Sequence, residues 1–145
     1  MLICKIDFAS PEFDEALALR YEVLRKPLGL EYTLEQLTTE WDNIHIAAFG
    51  PSGKMVGYLN LTPVNDHEVK MRQVAVAPDE QGNGIGKAMV AYSENVAKQL
   101  KFKEIVLHAR KTAVPFYLGL NYEIIEDEFE EVSIPHFKMR KATGF

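Results

Sequence analysis

The first apolar run, "LICKIDF" at residues 2–8, alternates with polar positions and predicts a strand. The period then lengthens. Phe13, Ala16, Leu17, Tyr21 and Leu24 share one face of a helix predicted from Pro11 to about Arg25. Ser10 supplies an N-cap, and Pro11 brings a φ that is already helical. "KPLGL" (26–30) breaks this helix. Thr33 and Gln36 have capping-box spacing, which predicts a second, short helix reaching Trp41.

Three strands follow as a meander, at 45–50, 54–64 and 67–77, joined by "PSG" and "ND" turns. After a glycine-rich stretch, Ile85, Met89, Tyr92, Val96 and Leu100 form an apolar stripe at spacings of three and four, the mark of an amphipathic helix. The next strand, 103–109, is reached by that crossover helix, so it should run parallel to the strand ending at Ala77. A short helix at 112–120 carries Pro115 in its first turn, where a missing N–H costs least. Strands at 122–129 and 131–142 close the chain as a hairpin. The order is β α α β β β α β α β β. It predicts an α+β fold on a mixed, mostly antiparallel sheet with one parallel step. No linker interrupts the 145 residues, so a single domain, 1–145, is expected.

Charge narrows the partners. With 16 basic and 21 acidic side chains the net charge is -5, and nucleic acid or an anionic membrane surface would need a basic face instead. No apolar run approaches the roughly 20 residues of a membrane span. The first residues turn polar too soon for a signal peptide, and a cytoplasmic location is expected. Cys4 is the one cysteine, so no internal disulfide forms. The histidines, at 45, 67, 108 and 136, lack metal-ligand spacing, and no metal is expected.

The chemistry concentrates in "APDEQGNGIGKAMVAY" (77–92), where Gly82, Gly84 and Gly86 alternate just before a helix. A helix start offers unpaired N–H groups and a positive dipole end, and glycines let backbone close on a phosphate. Two well-known phosphate loops fail by spacing. The dinucleotide pattern meets Lys87 where a small residue is needed, and the P-loop pattern fails at Gln81 and Ala88. Gln81, Gly84 and Gly86 instead read Q-x-x-G-x-G.

In this loop the chain resembles the GNAT N-acetyltransferase superfamily. A second stretch, "VPFYLGLNY" (114–122), resembles that family's F-Y-x-x-x-G-F signature through Phe116 and Tyr117, with Asn121 and Tyr122 at its Gly and Phe positions. Asn suits the left-handed turn that ends a helix. The resemblance spans nearly the whole chain and is weakest over residues 20–45. It implies a GNAT-like sheet with helices on both faces. It also implies acetyl-CoA as cosubstrate and direct transfer of an acetyl group to an amine of a small molecule or peptide. A homodimer is left open. The alternative is a non-catalytic acyl-CoA-binding module on the same fold.

The resemblance also distributes roles. The CoA pyrophosphate falls to Gln81, Gly82, Asn83, Gly84, Gly86 and Lys87. The backbone of Val74, Ala75 and Val76, on a strand that splays from its neighbour, faces the thioester. Tyr117 is the general acid for the leaving thiolate; Phe116, one position away, is expected in the core. Glu68 is a candidate base, set against a plain surface glutamate, with His108 and His136 as alternatives. Cys4 reads as a small apolar residue rather than an acyl carrier. The acidic run "EDEFEE" (126–131) is expected to solvate a hairpin tip or to attract a cationic acceptor.

Overall fold

The computed structural model describes all 145 residues, Met1–Phe145. The elements are β1 (Leu2–Ile6), α1 (Pro11–Arg20), α2 (Leu34–Thr38), β2 (Ile44–Phe49), β3 (Met55–Pro63), β4 (Glu68–Val76), α3 (Ile85–Gln99), β5 (Glu104–Arg110), α4 (Val114–Gly119), β6 (Glu123–Ile124), β7 (Phe129–Glu131) and β8 (Ile134–Ala142). The strand order is β1-β2-β3-β4-β5-β8-β6, with β7 on β8. β4 and β5 pair in parallel; β1–β2, β2–β3 and the pairings of β8 are antiparallel. This is the α+β sheet that the element order predicts. The chain forms two compact units, Met1–Thr62 with Gln73–Ser93, and Pro63–Arg72 with Glu94–Phe145.

In the first unit, α1 starts as its sequence dictates: Ser10 Oγ accepts from the Phe13 amide at 3.2 Å, and Pro11 occupies the first turn. The helix is α-helical only to Arg20. Tyr21–Arg25 continues as a π stretch, Lys26–Leu28 as a 3-10 turn, and Gly29 closes it at φ 68°. Phe13 and Ala16 are buried, while Leu17, Tyr21 and Leu24 are half-buried. Arg20 occupies the next position of the Phe13–Ala16 stripe and has no exposed surface. α2 carries the expected reciprocal capping box between Thr33 and Gln36 but stops at Thr38, leaving Trp41 exposed. Ala16, Ala47, Met55 and Tyr58 form a core cluster joined by Ile6, Leu19 and Phe49. Gly57 on β3 lets α3 approach closely: a Cβ there would lie 2.7 Å from the Met89 thioether.

In the second unit the β4–β5 ladder covers only Glu68–Glu104, Val69–Ile105 and Lys70–Val106. β5 and β8, by contrast, pair over seven residues. Val69, Ile105, Leu107 and Met139 are buried. The expected long strand at 122–129 is broken. Glu123–Ile124 pairs with Arg140 and Met139, and Phe129–Glu131 pairs with His136 to Ile134. The tip of the closing hairpin is Val132–Ser133, both at positive φ, the geometry of a two-residue turn matched to strand twist.

On α3, Ile85, Met89 and Val96 are buried as the stripe predicts, but Tyr92 is half-buried and Leu100 exposed. Val90, Ser93 and Ala97 complete the buried face instead. No helix is long and apolar enough to cross a membrane.

Candidate active site

The site is built first from the end of β4. Its ladder to β5 stops at Lys70, so Val74, Ala75 and Val76 have no partner there. Just before them the backbone turns left-handed at Gln73, φ 56°. A non-glycine residue in this region is uncommon and marks bulges and strained strands. Ala75 is buried, and Val74 and Val76 are half-buried. The Gln73 Oε1 accepts from the Tyr32 hydroxyl at 2.7 Å.

The glycine loop follows through a 3-10 turn, Pro78–Glu80. Gln81 donates its side-chain amide to the Val76 carbonyl at 3.2 Å, and Asn83 donates to the Glu80 carboxylate at 3.1 Å. Both side chains therefore brace the loop. Gly82 and Gly84 sit at φ 86° and 80°, which glycine adopts without the penalty of a Cβ. Open space surrounds both, with no atom within 4 Å of where a Cβ would stand. The first helical bond of α3 runs from the Ala88 amide to the Gly84 carbonyl. From Gly82 to Lys87 the backbone amides make no hydrogen bond within the chain. Six consecutive free donors at the positive end of a 15-residue helix form a cradle for an anion.

In the second unit, α4 inverts one expectation. Tyr117 is 7% exposed and Phe116 41%. Tyr117, not Phe116, is the core residue of the pair, because it lies edge-on to Tyr122 with ring centroids 5.7 Å apart. Its hydroxyl makes no hydrogen bond within the chain, and burial pushes its pKa up to about 12. Tyr122 is also buried; its hydroxyl donates to Glu94 at 2.9 Å. Asn121, at φ 71°, takes the left-handed conformation expected where this helix ends.

The remaining candidates are structurally engaged. Glu68 opens β4, eight residues before Val76, and accepts from the Asn65 side-chain amide at 3.2 Å. Asn65 Oδ1 in turn accepts from the His67 and Glu68 amides, so this glutamate helps close a turn. His108 lies 3.3 Å from Lys70 Nζ and 3.0 Å from Glu131. His136, the other alternative base, is 4% exposed, and its Nδ1 lies 2.8 Å from the Ile134 carbonyl. Cys4 is half-buried on β1, opposite Ala47. The acidic run does more than solvate a turn: Glu131, Glu128 and Glu126 pair with His108, Lys111 and Lys138.

A polar network in the first unit escaped the sequence reading. Arg20 meets Glu40 in a two-pronged pair at 2.7 and 2.8 Å. His45 Nε2 lies 3.0 Å from the Glu40 carbonyl, which can only accept. The proton therefore sits on Nε2, and Nδ1 accepts from the Tyr58 hydroxyl. Asn60 donates to that same hydroxyl oxygen at 3.4 Å. Burial lowers the His45 pKa and raises that of Tyr58. Burial also opposes the charge of Arg20, but its bonds to Glu40 and the nearby Tyr58 and Glu40 charges hold its pKa above the ordinary value. The one signal in the sequence was an arginine on an apolar stripe.

A mixed sheet, a kinked strand end and an anion cradle opening a helix are the parts that the GNAT-like resemblance leads one to expect. The family model described as the acetyltransferase (GNAT) domain matches residues 24–143, and the chain belongs to that family. It is 36% identical over 89 residues to mycothiol acetyltransferase of Mycobacterium leprae, covering 61% of this chain and 26% of that protein. It is 32% identical over 98 residues to a Schizosaccharomyces pombe protein, covering 66% of this chain. The matches thus span between 26% and 65% of these curated relatives' lengths. An aminoglycoside 6'-N-acetyltransferase solved with coenzyme A superposes with a TM-score of 0.81 at 18% identity, covering 99% of this chain and 97% of that one. At that identity the likeness shows the fold.

Proposed function

We propose that this protein transfers an acetyl group from acetyl-CoA directly to an amine of a small molecule or peptide, in the cytoplasm. One observation carries the reading: the free amides from Gly82 to Lys87 at the start of α3, with open space beside Gly82 and Gly84. A pyrophosphate needs several donors at once, and this loop offers them without rearrangement. Gln81, Gly82, Asn83, Gly84, Gly86 and Lys87 would hold it. The Val74–Val76 backbone would align the pantetheine arm and offer N–H groups to the carbonyl oxygen. Acetyl-CoA, when bound, supplies an activated acyl group.

Tyr117 is the proposed donor to the leaving sulfur. Its raised pKa keeps the phenol protonated across the working range. Glu68 is occupied by its turn, so deprotonation of the amine through water suits this site better than Glu68 as base. The non-catalytic acyl-CoA-binding module draws its support from the same fact, that no free carboxylate or imidazole is assigned as base.

The test is release of free thiol from acetyl-CoA against a panel of amines, alongside thermal stability. Acetyl-CoA at a hundredfold excess over Kd should add about 2.7 kcal/mol of stability, with NAD and ATP adding much less. Gly84→Asp puts a like charge into the cradle and should raise the KM for acetyl-CoA more than about tenfold. Tyr117→Phe should lower kcat by roughly 10² to 10⁴ with little change in that KM. Stabilisation by acetyl-CoA with no thiol release from any amine would establish the binding module instead. No stabilisation at all would end both readings.

A further inference from the structure

We propose that Tyr32 is a positioning residue for acyl transfer: its hydroxyl latches the left-handed kink at Gln73 and so sets the direction of the Val74–Val76 backbone. The proposal rests on the reading of that backbone as the surface that faces the thioester.

A kink at a non-glycine residue, φ 56° here, costs free energy and persists only where its surroundings hold it. The ladder to β5 cannot hold it, since it ends three residues earlier at Lys70. β3 flanks the strand on its other side, and the side chain that holds the Gln73 side chain is Tyr32, 41 residues away in sequence, with an O–H to Oε1 bond of 2.7 Å. Tyr32 is itself clamped. The Arg20 guanidinium lies 4.7 Å from its ring centroid and that of Arg25 4.5 Å. Both cations reach one ring because Tyr21–Arg25 is a π stretch, whose i→i+5 repeat brings residues five apart toward the same side. Arg20 is fixed in turn by its buried, two-pronged pair with Glu40. A rigid series therefore runs from the buried ion pair, through an aromatic ring, to the residue just before the proposed thioester surface. This also gives the π stretch a purpose that a plain α-helix would not serve.

Tyr32→Phe keeps the ring against the two arginines and removes only the latch. The expected result is a loss of about tenfold in kcat, since small misplacements of a positioned group are costly in the transition state. The KM for acetyl-CoA and the melting temperature should barely change. Gln73→Gly removes the acceptor and allows positive φ without strain. In that background Tyr32→Phe should cost less than about twofold more, which is the signature of a coupled pair. The backbone chemical shifts of Gln73 and Val74 in the free protein should move in Tyr32→Phe, a readout that needs no turnover. Unchanged shifts would overturn the latch even if the protein proved to be a binding module. An equal kcat loss in the Gln73→Gly background would show that Tyr32 acts elsewhere and overturn it too. So would a kcat loss that merely tracks a fall in melting temperature. If the wild type shows no turnover with any amine, the acyl-transfer reading fails, while the shifts still decide the latch.

Discussion

The two compact units handle charge in opposite ways. In the first, Arg20 and Glu40 meet with side chains 0% and 4% exposed, and His45, Tyr58 and Asn60 extend the network inward. In the second, Lys70, His108, Glu131 and His136 gather where Glu131 is 45% and His108 25% exposed. The same residue types thus have different worth. A buried pair carries a large desolvation cost, offset only while both partners and their hydrogen bonds are present. A half-exposed cluster is screened by water, and each contact adds little. The inner network therefore fixes a geometry, and through Tyr32 it extends to the kinked strand. The outer one trims local charge around the closing hairpin.

The contrast can be broken most forcefully at Glu40. Glu40→Ala strands a buried guanidinium and should cost about 3–5 kcal/mol in urea unfolding. Tyr58→Phe is gentler. It leaves His45 Nδ1 and the Asn60 amide without their shared partner, at a cost of about 1–3 kcal/mol by the same measurement.

Acid titration sharpens the contrast further. Burial holds the His45 pKa below its ordinary value, so its neutral form contributes stability above about pH 6.5. That contribution is lost as the pH falls through the lowered folded value. For Glu131, burial would raise the pKa, but the His108 hydrogen bond with the His108, His136 and Lys70 charges holds it low. Its contribution is present above roughly pH 4.3 and is lost only below, toward its folded value. Melting temperature against pH should show an earlier loss from the inner network, and His45→Gln should remove that earlier step. The smallest effect belongs to Glu131→Gln: at neutral pH it should cost no more than about 1 kcal/mol in urea unfolding, because Glu131 and its closer partner His108 both keep water. A larger loss there than at Tyr58 would reverse the comparison.

Much of the fold was legible residue by residue. Ser10 and Pro11 start α1, Thr33 and Gln36 cap α2, and Asn121 ends α4, because capping and turn chemistry act within a few residues. The parallel step from β4 to β5 followed from the crossover helix. The glycine-rich loop was legible as well, and Gly82 and Gly84 use the positive φ that glycine permits. Where the reading failed, longer-range contacts had decided. Phe116 and Tyr117 are equally apolar in pattern, and only the contact with Tyr122 selects which is buried. The strand expected at 122–129 breaks because β8 pairs separately with β6 and β7.

By itself, then, the sequence determined the periods, the caps, the turn residues and the phosphate-loop pattern, all set by forces that act between near neighbours. It did not determine the sealing of Arg20 by Glu40, the clamp on Tyr32, or the left-handed Gln73. Those depend on partners 7 to 41 residues apart in sequence. Whether such a charge is paired or stranded, and whether a strand stays straight, is settled only once packing excludes water and brings the distant partner within hydrogen-bonding reach.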